Sequence, residues 1–137
     1  MDFGLVELSA DDRALQQEIR SFLAEIFTPD VFQLEHETGS GFNPKVYEAL
    51  GSRGWLYPEL PVEQGGAGFT HVQKRIMELE LIRQDARVMM MQGTSSLPMA
   101  AVRKYMDPAV ADPILKECAA GRAVMCLGYS EPDGGSD

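Results

Sequence analysis

The stretch SADDRALQQEIRSFLAEIF, residues 9–27, sets the fold class. Its apolar residues recur every three or four positions, which places them on one face of a helix with 3.6 residues per turn. That face consists of Leu15, Ile19, Phe22, Leu23 and Ile26. Ser9 is a favourable N-cap, and Asp12 stands three residues further on, an arrangement close to a capping box. The stretch therefore predicts an amphipathic helix, which we expect Thr28-Pro29 to end.

Two further helices follow, each with a recognisable start. Residues 33–42, QLEHETGSGF, are polar and contain glycine, so they predict a connection. Asn43-Pro44 then combines an N-cap residue with a proline at the first helical position. Residues 57–69, YPELPVEQGGAGF, hold too many prolines and glycines for a regular element, and their apolar neighbours favour a packed loop. Thr70 caps the next helix, whose apolar face consists of Val72, Ile76, Leu79 and Ile82, with Met77 and Leu81 beside it. A face this wide predicts a central helix.

The remaining helices are marked by proline and glycine. Residues 88–106 predict a helix that is interrupted near Gly93 or Pro98. A short helix comes next, with Pro108 near its start and Gly121 as its C-cap. Up to this glycine, every element that the sequence predicts is helical.

The pattern changes after Gly121. Residues 122–130, RAVMCLGYS, have no helical period and are rich in residues that suit a buried strand. A lone strand would leave its backbone groups without partners in this sequence. We therefore expect either that the chain is a piece of a larger protein or that the strand pairs with another chain. The predicted fold is all-α over residues 1–121, followed by the first strand of a second domain over residues 122–137.

Composition excludes several classes of function. The chain of 137 residues carries a net charge of −9, which argues against binding to nucleic acid or to anionic membranes. One loop or helix N-terminus could still bind a polyanionic small molecule. The first twelve residues do not resemble a signal peptide, and no apolar run approaches the ~20 residues of a membrane span. Cys118 and Cys126 lack zinc-site or CxxC spacing, so we expect buried, reduced thiols and a cytoplasmic protein.

The loop SEPDGGSD, residues 130–137, is the strongest candidate for a binding site. Gly134 and Gly135 can adopt positive φ, so consecutive N–H groups could form an anion-binding nest. Ser130 and Ser136 add hydroxyl groups. The loop lacks the G-x-G-x-x-G and G-K-[ST] patterns of nucleotide sites. The residues alone leave both phosphate binding and a plain turn open.

Other polar or adaptable side chains fit ordinary structural roles better than catalytic ones. His36 and His71 have no metal-ligand companions, and both are expected to be exposed or at a helix start. Glu78 and Glu80 share a helix with Lys74, Arg75 and Arg83 and predict a solvated or ion-paired face in preference to an acid/base pair. Two further groups have weaker functional interpretations. Met89, Met90 and Met91 could line an acyl pocket but favour core packing. Ser95 and Ser96 lie in GTSSLP, which could face a ligand. No metal site is predicted.

Several segments, in order along the chain, resemble the acyl-CoA dehydrogenase family. LGYSEPDGGSD, residues 127–137, is similar to the family's flavin-binding signature L-T-E-P-x-A-G-S-D. YPELPVEQGGAGFT, residues 57–70, resembles its P-E-x-x-G-G-x-G loop, and MELELIRQDAR, residues 77–87, its E-E-L-A-R-x-D helix. FNPKVYEALGSRGW, residues 42–55, is similar to the helix before that loop. The family's F-G-T-x-x-Q-K patch is not matched. GYSEP resembles actinobacterial members that act on steroid side chains or other bulky acyl-CoAs, some of them α2β2 assemblies.

The resemblance implies the N-terminal helical domain of the acyl-CoA dehydrogenase fold over residues 1–121 and the start of its middle β-domain over residues 122–137. It implies FAD as cofactor and α,β-dehydrogenation of an acyl-CoA thioester, in which a carboxylate takes the α-proton and the flavin takes the β-hydride. Electron-transfer flavoprotein would accept the electrons, and the assembly would be a homo- or hetero-oligomer, dimer or tetramer. The implied FAD contacts are Leu127, Gly128, Tyr129, Ser130, Glu131, Pro132, Gly134, Gly135 and Ser136; the implied substrate contacts are Ser136, Ser95 and Ser96.

Two departures from the family pattern matter for function. Tyr129 replaces a smaller residue, and Asp133-Gly134 replaces a small-Ala pair. A carboxylate near pyrophosphate is unfavourable, so Asp133 is expected to point outward. The family's catalytic base lies beyond Asp137, so no residue here is named as the base and this chain alone is not expected to be active. A family member without catalysis, acting as a structural subunit of a hetero-oligomeric dehydrogenase, is the alternative; an unrelated helical interaction domain is the third reading.

Overall fold

The computed structural model describes residues 7–86, 88–128, 130, 133 and 134, and for residues 88–92 it describes the backbone alone. The described residues form helices and no strand, which confirms the predicted helical fold. The helices are α1 (Ala10–Ile26), α2 (Pro29–Thr38), α3 (Pro44–Ser52), a 3₁₀ turn (Val62–Gln64), α4 (His71–Arg83), α5 (Val88–Tyr105) and α6 (Pro108–Ala119).

The starts of three helices are closed by the side chains that the sequence predicted. Ser9 Oγ accepts a hydrogen bond from the Asp12 N–H at 3.0 Å. Asn43 Oδ1 accepts from the N–H groups of the first turn of α3, the nearer at 3.0 Å. Thr70 and Gln73 form a full capping box at the start of α4. Each cap satisfies N–H groups that have no partner inside the helix.

The prediction of a connection over residues 33–42 was wrong, because α2 occupies Pro29–Thr38. Thr28 and Pro29 end α1 and also start α2, with proline at its first position. Gly39 then closes α2 at φ +67°. The sequence of α2 has no clear apolar stripe, and in agreement with this no residue of the helix is fully buried. That is why periodicity failed to predict it.

Helix α4 packs against α1 along a different edge from the predicted one. Its buried residues are Ile76, Met77, Glu80 and Leu81, whereas three residues of the predicted stripe are largely exposed: Val72 (47%), Leu79 (46%) and Ile82 (59%). Glu80 can occupy the interface because α1 supplies a charged partner for it. Apolar spacing alone therefore predicted the helix but not the face that packs.

Pro98 does not interrupt α5, contrary to the prediction, and the helix runs continuously over Val88–Tyr105. A proline inside a helix removes one N–H donor and strains the preceding turn. Here Pro98 and the neighbouring Met99 are both buried. Burial of apolar surface on this side of α5 offsets the lost hydrogen bond.

The segment after Gly121 is extended but is not a strand. Gly121 follows the end of α6 at φ +77°, as predicted for its C-cap. Along residues 122–128, which we call the exit segment, exposed and half-buried residues alternate. Ala123 and Met125 pack against the core. The period of two suits a strand, yet no neighbouring strand among the described residues offers the ladder of hydrogen bonds that defines one.

Candidate functional site

The loop between α3 and α4 is packed, as its sequence predicted. Tyr57 and Leu60 are buried, and Leu60 accepts a backbone hydrogen bond from Gly68 at 2.9 Å. Gly66 lies against this turn so closely that a Cβ atom would sit 2.1 Å from the carbonyl oxygen of Leu60. Glycine is required there because any side chain would overlap the backbone. The loop is thus a fixed wall beside α4 and α5.

Two adjoining clefts separate this loop from the helices. One, of about 150 Å³, is lined by Trp55, Pro58, Met77, Leu81 and Gly93, together with Glu59, Lys74, Glu78 and Ser96. The other, of about 120 Å³, is lined by Tyr57, Leu60, Met99, Ala100 and Arg103, again with Glu59 and Ser96. Lys74 Nζ pairs with Glu59 at 2.9 Å between apolar residues of the first cleft. The clefts combine apolar walls with a few polar groups, as small-molecule sites commonly do.

Ser95 has a different environment from Ser96, although both lie on α5. Ser95 is 1% exposed, and its hydroxyl makes two hydrogen bonds to the backbone of the exit segment. Met125 N–H donates to Ser95 Oγ at 3.1 Å, and Ser95 Oγ–H donates to the Met125 carbonyl at 3.2 Å. The hydroxyl therefore joins α5 to a segment thirty residues further along the chain.

Tyr57, in the packed loop, lies close to Ser95. Burial raises the pKa of its phenol, and a hydrogen bond with the Ser95 side chain opposes that rise. A serine hydroxyl has one proton and two acceptor lone pairs. The bond donated to the Met125 carbonyl uses the proton, and the bond accepted from the Met125 N–H uses one lone pair. Loop, helix and exit segment meet at one hydroxyl.

The predicted cofactor residues follow directly after this meeting point. Leu127 is half-buried, while Gly128, Ser130 and Gly134 are exposed. Asp133 is exposed too, and its orientation relative to a bound cofactor stays a prediction. Five of the predicted cofactor contacts lie outside the described residues: Tyr129, Glu131, Pro132, Gly135 and Ser136. The side chains of Met89, Met90 and Met91 are also outside them.

Glu80 is the one carboxylate that is buried among the described residues. Arg20 on α1 donates two hydrogen bonds to it, at 3.0 and 2.8 Å, and Gln16 donates a third at 3.0 Å. The Arg20 hydrogen bond is the main reason that the pKa of Glu80 lies below its ordinary value, despite burial. Glu78 pairs with Arg75 at 3.0 Å. Both carboxylates are ion-paired, as predicted, but the partner of Glu80 lies on α1 and Glu80 is buried. A lowered pKa is the opposite of what a general acid needs, so Glu80 does not fit that role.

The two cysteines differ, so the expectation that both are buried was wrong for Cys126. Cys118 is buried in α6, and burial raises the pKa of its thiol. Cys126 is exposed, because it occupies an outward position in the alternating exit segment. His36 and His71 are both exposed, as expected. Over the described ranges, no three potential ligands converge on a metal site, and none of the helices has the length and apolarity to span a bilayer.

Sequence reasoning missed the contact between Ser95 and Met125. The two residues are thirty positions apart, so neither periodicity nor a local motif relates them. The available signal was a serine beside the apolar residues Leu97, Pro98 and Met99 of the same helix. Such a hydroxyl is expected to need a partner when it is buried.

Comparison with known proteins agrees with this helical domain. A family model described as "Acyl-CoA dehydrogenase, N-terminal domain" matches residues 9–122. The chain belongs to this family. The match ends where the exit segment begins.

Curated relatives and one solved structure give the same result. Mitochondrial isovaleryl-CoA dehydrogenase of Pongo abelii is 25% identical over 100% of this chain and 33% of its own length. Acyl-CoA dehydrogenase FadE29 of Mycobacterium tuberculosis is 27% identical over 96% of this chain and 34% of its own. The ChsE4-ChsE5 complex of M. tuberculosis contains a chain with a TM-score of 0.76 and 25% identity, covering 96% of this chain and 33% of that one. This chain thus spans about a third of the length of these relatives.

Proposed function

We propose that this chain is the N-terminal part of an FAD-dependent acyl-CoA dehydrogenase that introduces a Cα–Cβ double bond into an acyl-CoA thioester. The observation that carries the proposal is the order of parts: the family match over residues 9–122 runs into the flavin-type signature at residues 127–137. In this proposal residues 1–121 are the helical domain and residues 122–137 begin the middle β-domain. The base that removes the α-proton would come from another part of the complete protein.

The described loop residues fit a flavin. Gly128, Ser130 and Gly134 are exposed, and open space surrounds the positions where Gly128 and Gly134 would carry a Cβ atom. A cofactor could therefore approach their backbone N–H groups closely. Bound FAD would supply the acceptor for the β-hydride. Ser130 would donate its hydroxyl to the flavin ring, and Ser136 would face the pyrophosphate or the acyl-CoA.

For the acyl-CoA, the two clefts beside the packed loop are the proposed entrance to the pocket. Ser96 borders both of them, so we place a substrate contact there. The Ser95 hydroxyl was predicted to face substrate as well, but its bonds to Met125 make that role a weaker proposal. Trp55, Met77 and Met99 would contact the apolar chain, and Arg103 at the rim could pair with a phosphate of coenzyme A.

Flavin binding is tested directly on the complete polypeptide that contains this sequence. The purified protein should show flavin absorbance, and anaerobic addition of acyl-CoA substrates of graded chain length should bleach it. Ser130→Ala should weaken FAD binding by about 0.5–1.5 kcal/mol, the usual net contribution of one hydrogen bond. Ser21→Ala, at an exposed position of α1, is the matched control. A protein without flavin that gains none on reconstitution would exclude the catalytic proposal.

A structural role in a hetero-oligomeric dehydrogenase is the second candidate. The likeness to a chain of the ChsE4-ChsE5 complex favours it, because that structure holds two different proteins, and Tyr129 and Asp133 depart from the flavin signature. We also propose an oligomer, dimer or tetramer, electron-transfer flavoprotein as acceptor, and a cytoplasmic location. Co-expression with neighbouring dehydrogenase subunits, followed by mass determination, distinguishes the two candidates: the structural subunit would assemble stably and contribute no flavin.

A further inference from the structure

Ser95 makes the hydrogen bonds that join the exit segment to a part of the helical domain distant in sequence. The other hydrogen bonds that start this segment come from its own helix: Arg122 N–H and Ala123 N–H both donate to the Glu117 carbonyl, at 3.0 and 3.3 Å. Beyond Ala123, the hydroxyl of Ser95 holds both backbone groups of Met125.

Both backbone groups of Met125 are bonded in this contact, as they would be in strand pairing, although the partner is a side chain. In a hydrogen-bonded pair of an antiparallel sheet, the N–H and the C=O of one residue both bond to the same residue opposite. Ser95 reproduces this with a single side-chain oxygen. Met125 is thereby fixed in its register along α5, and a shift of one residue would turn its half-buried side chain outward.

We infer that Ser95 is a positioning residue for Leu127 and Gly128, the start of the candidate cofactor site: it sets where the chain leaves the helical domain. Ser130 lies only five residues beyond Met125. The inference concerns the placement of this start of the loop, and its consequence for FAD rests on the proposed function.

Tyr57 makes this attachment common to three parts of the molecule. The phenol neighbours Ser95, and the same tyrosine lines the cleft proposed for substrate. A change at Ser95 is therefore expected to reach the cleft wall as well as the loop. Tyr57→Phe distinguishes an effect on the cleft wall from an effect on the loop, because it removes only the phenolic hydroxyl and keeps the aromatic ring.

Hydrogen exchange tests the attachment without any cofactor. In Ser95→Ala, the amide of Met125 should exchange about 2- to 13-fold faster, the factor that corresponds to one net hydrogen bond, while amides inside α1 and α4 keep their wild-type rates. Ser21→Ala should change neither. Uniform acceleration over the whole chain, or an unchanged rate at Met125, would overturn the inference. Ser95→Cys has a side chain of similar size and only weak hydrogen bonding, so it should show the same local effect if Ala proves poorly folded.

The consequence for the loop is measured by FAD titration of the complete protein. Ser95→Ala should weaken FAD affinity several-fold and change the visible circular dichroism of the flavin. Combined with Ser130→Ala it should be non-additive, since both changes act on one loop. Faster exchange at Met125 with unchanged FAD affinity and spectrum would overturn the positioning role. Failure of the wild-type protein to bind FAD would instead overturn the proposed function, and the exchange result alone would then decide the inference.

Discussion

The body of the helical domain, residues 10–121, and the exit segment, residues 122–128, are held in opposite ways. In the body, helices meet through fully buried side chains, and α3 and α6 approach so closely that only glycine fits at Gly51 and Gly121. The exit segment lies on this body with alternate residues half exposed. The body is therefore fixed by packing that many residues share, whereas the exit segment is held by the partly buried Ala123 and Met125, by hydrogen bonds to the end of α6 and by the Ser95 hydroxyl.

The largest expected effect lies at the boundary between the two regions. In Gly121→Ala, the new Cβ would sit 2.3 Å from the carbonyl oxygen of Tyr47, and the residue would have to keep φ +77°. Strain from a left-handed alanine and from overlap should together cost about 3 kcal/mol or more in the free energy of unfolding. Gly39→Ala is the control, since φ is +67° there but nothing lies within 4 Å; about 1 kcal/mol is expected. Equal losses in urea unfolding would show that close packing at Gly121 is not limiting.

The second-largest effect concerns the contribution of a buried charge to the stability of the helical body. Glu80→Gln breaks the ion pair with Arg20 while keeping the shape of the side chain. Loss of one partner of a buried pair typically costs about 3–5 kcal/mol, but the Arg20 side chain is 38% exposed, so we expect about 2 kcal/mol. Glu78→Gln removes an exposed pair on the same helix and should cost about 0.3 kcal/mol. Similar losses for the two variants would contradict the buried role of Glu80.

Acid sensitivity follows from the same residue. The pKa of Glu80 in the folded protein lies below the 4.5 of an unperturbed glutamate. The unfolded chain therefore binds the proton more readily, so the stabilisation is complete above pH 4.5 and is lost as pH falls through the folded pKa. Urea unfolding at a series of pH values below 5 should show a shallower decline for Glu80→Gln than for wild type. Parallel declines would assign the acid sensitivity to other carboxylates, among them Glu117, whose pKa is lowered by Arg122.

The sequence predicted the helices of the body better than the contacts between them. Caps at Ser9, Asn43 and Thr70 were predictable because a cap is a local hydrogen bond between a side chain and the next turn. Helix α2 was missed because it buries no residue and so has no stripe. The packing face of α4 was misplaced because the decisive partner of Glu80 is sixty residues away. The failure at α4 concerns information that is not local in the chain, whereas α2 did have local signals, at Thr28-Pro29 and at Gly39.

In the candidate site, too, local features were predicted and a non-local contact was not. The glycine-rich loop was found because its letters match a family signature, and the packed loop at residues 57–69 because proline and glycine exclude regular structure. The sequence analysis named Ser95 as a substrate contact, whereas in the structure its hydroxyl binds the backbone of Met125. A buried hydroxyl needs a partner, but the sequence does not say whether a ligand or the chain supplies it.

The smallest effect tests the independence of the exit segment. Met125→Ala removes a half-buried side chain from a segment that can detach locally, so the global free energy of unfolding should fall by less than about 1 kcal/mol. Leu115→Ala removes a side chain that is 1% exposed in α6 and should cost about 2–5 kcal/mol. In limited proteolysis the order should be reversed: cleavage within residues 122–128 should be accelerated more by Met125→Ala than by Leu115→Ala. If Met125→Ala lowered global stability as much as Leu115→Ala, the exit segment would belong to the cooperative body, and Ser95 would then be one contact among many and no longer the attachment that places the loop.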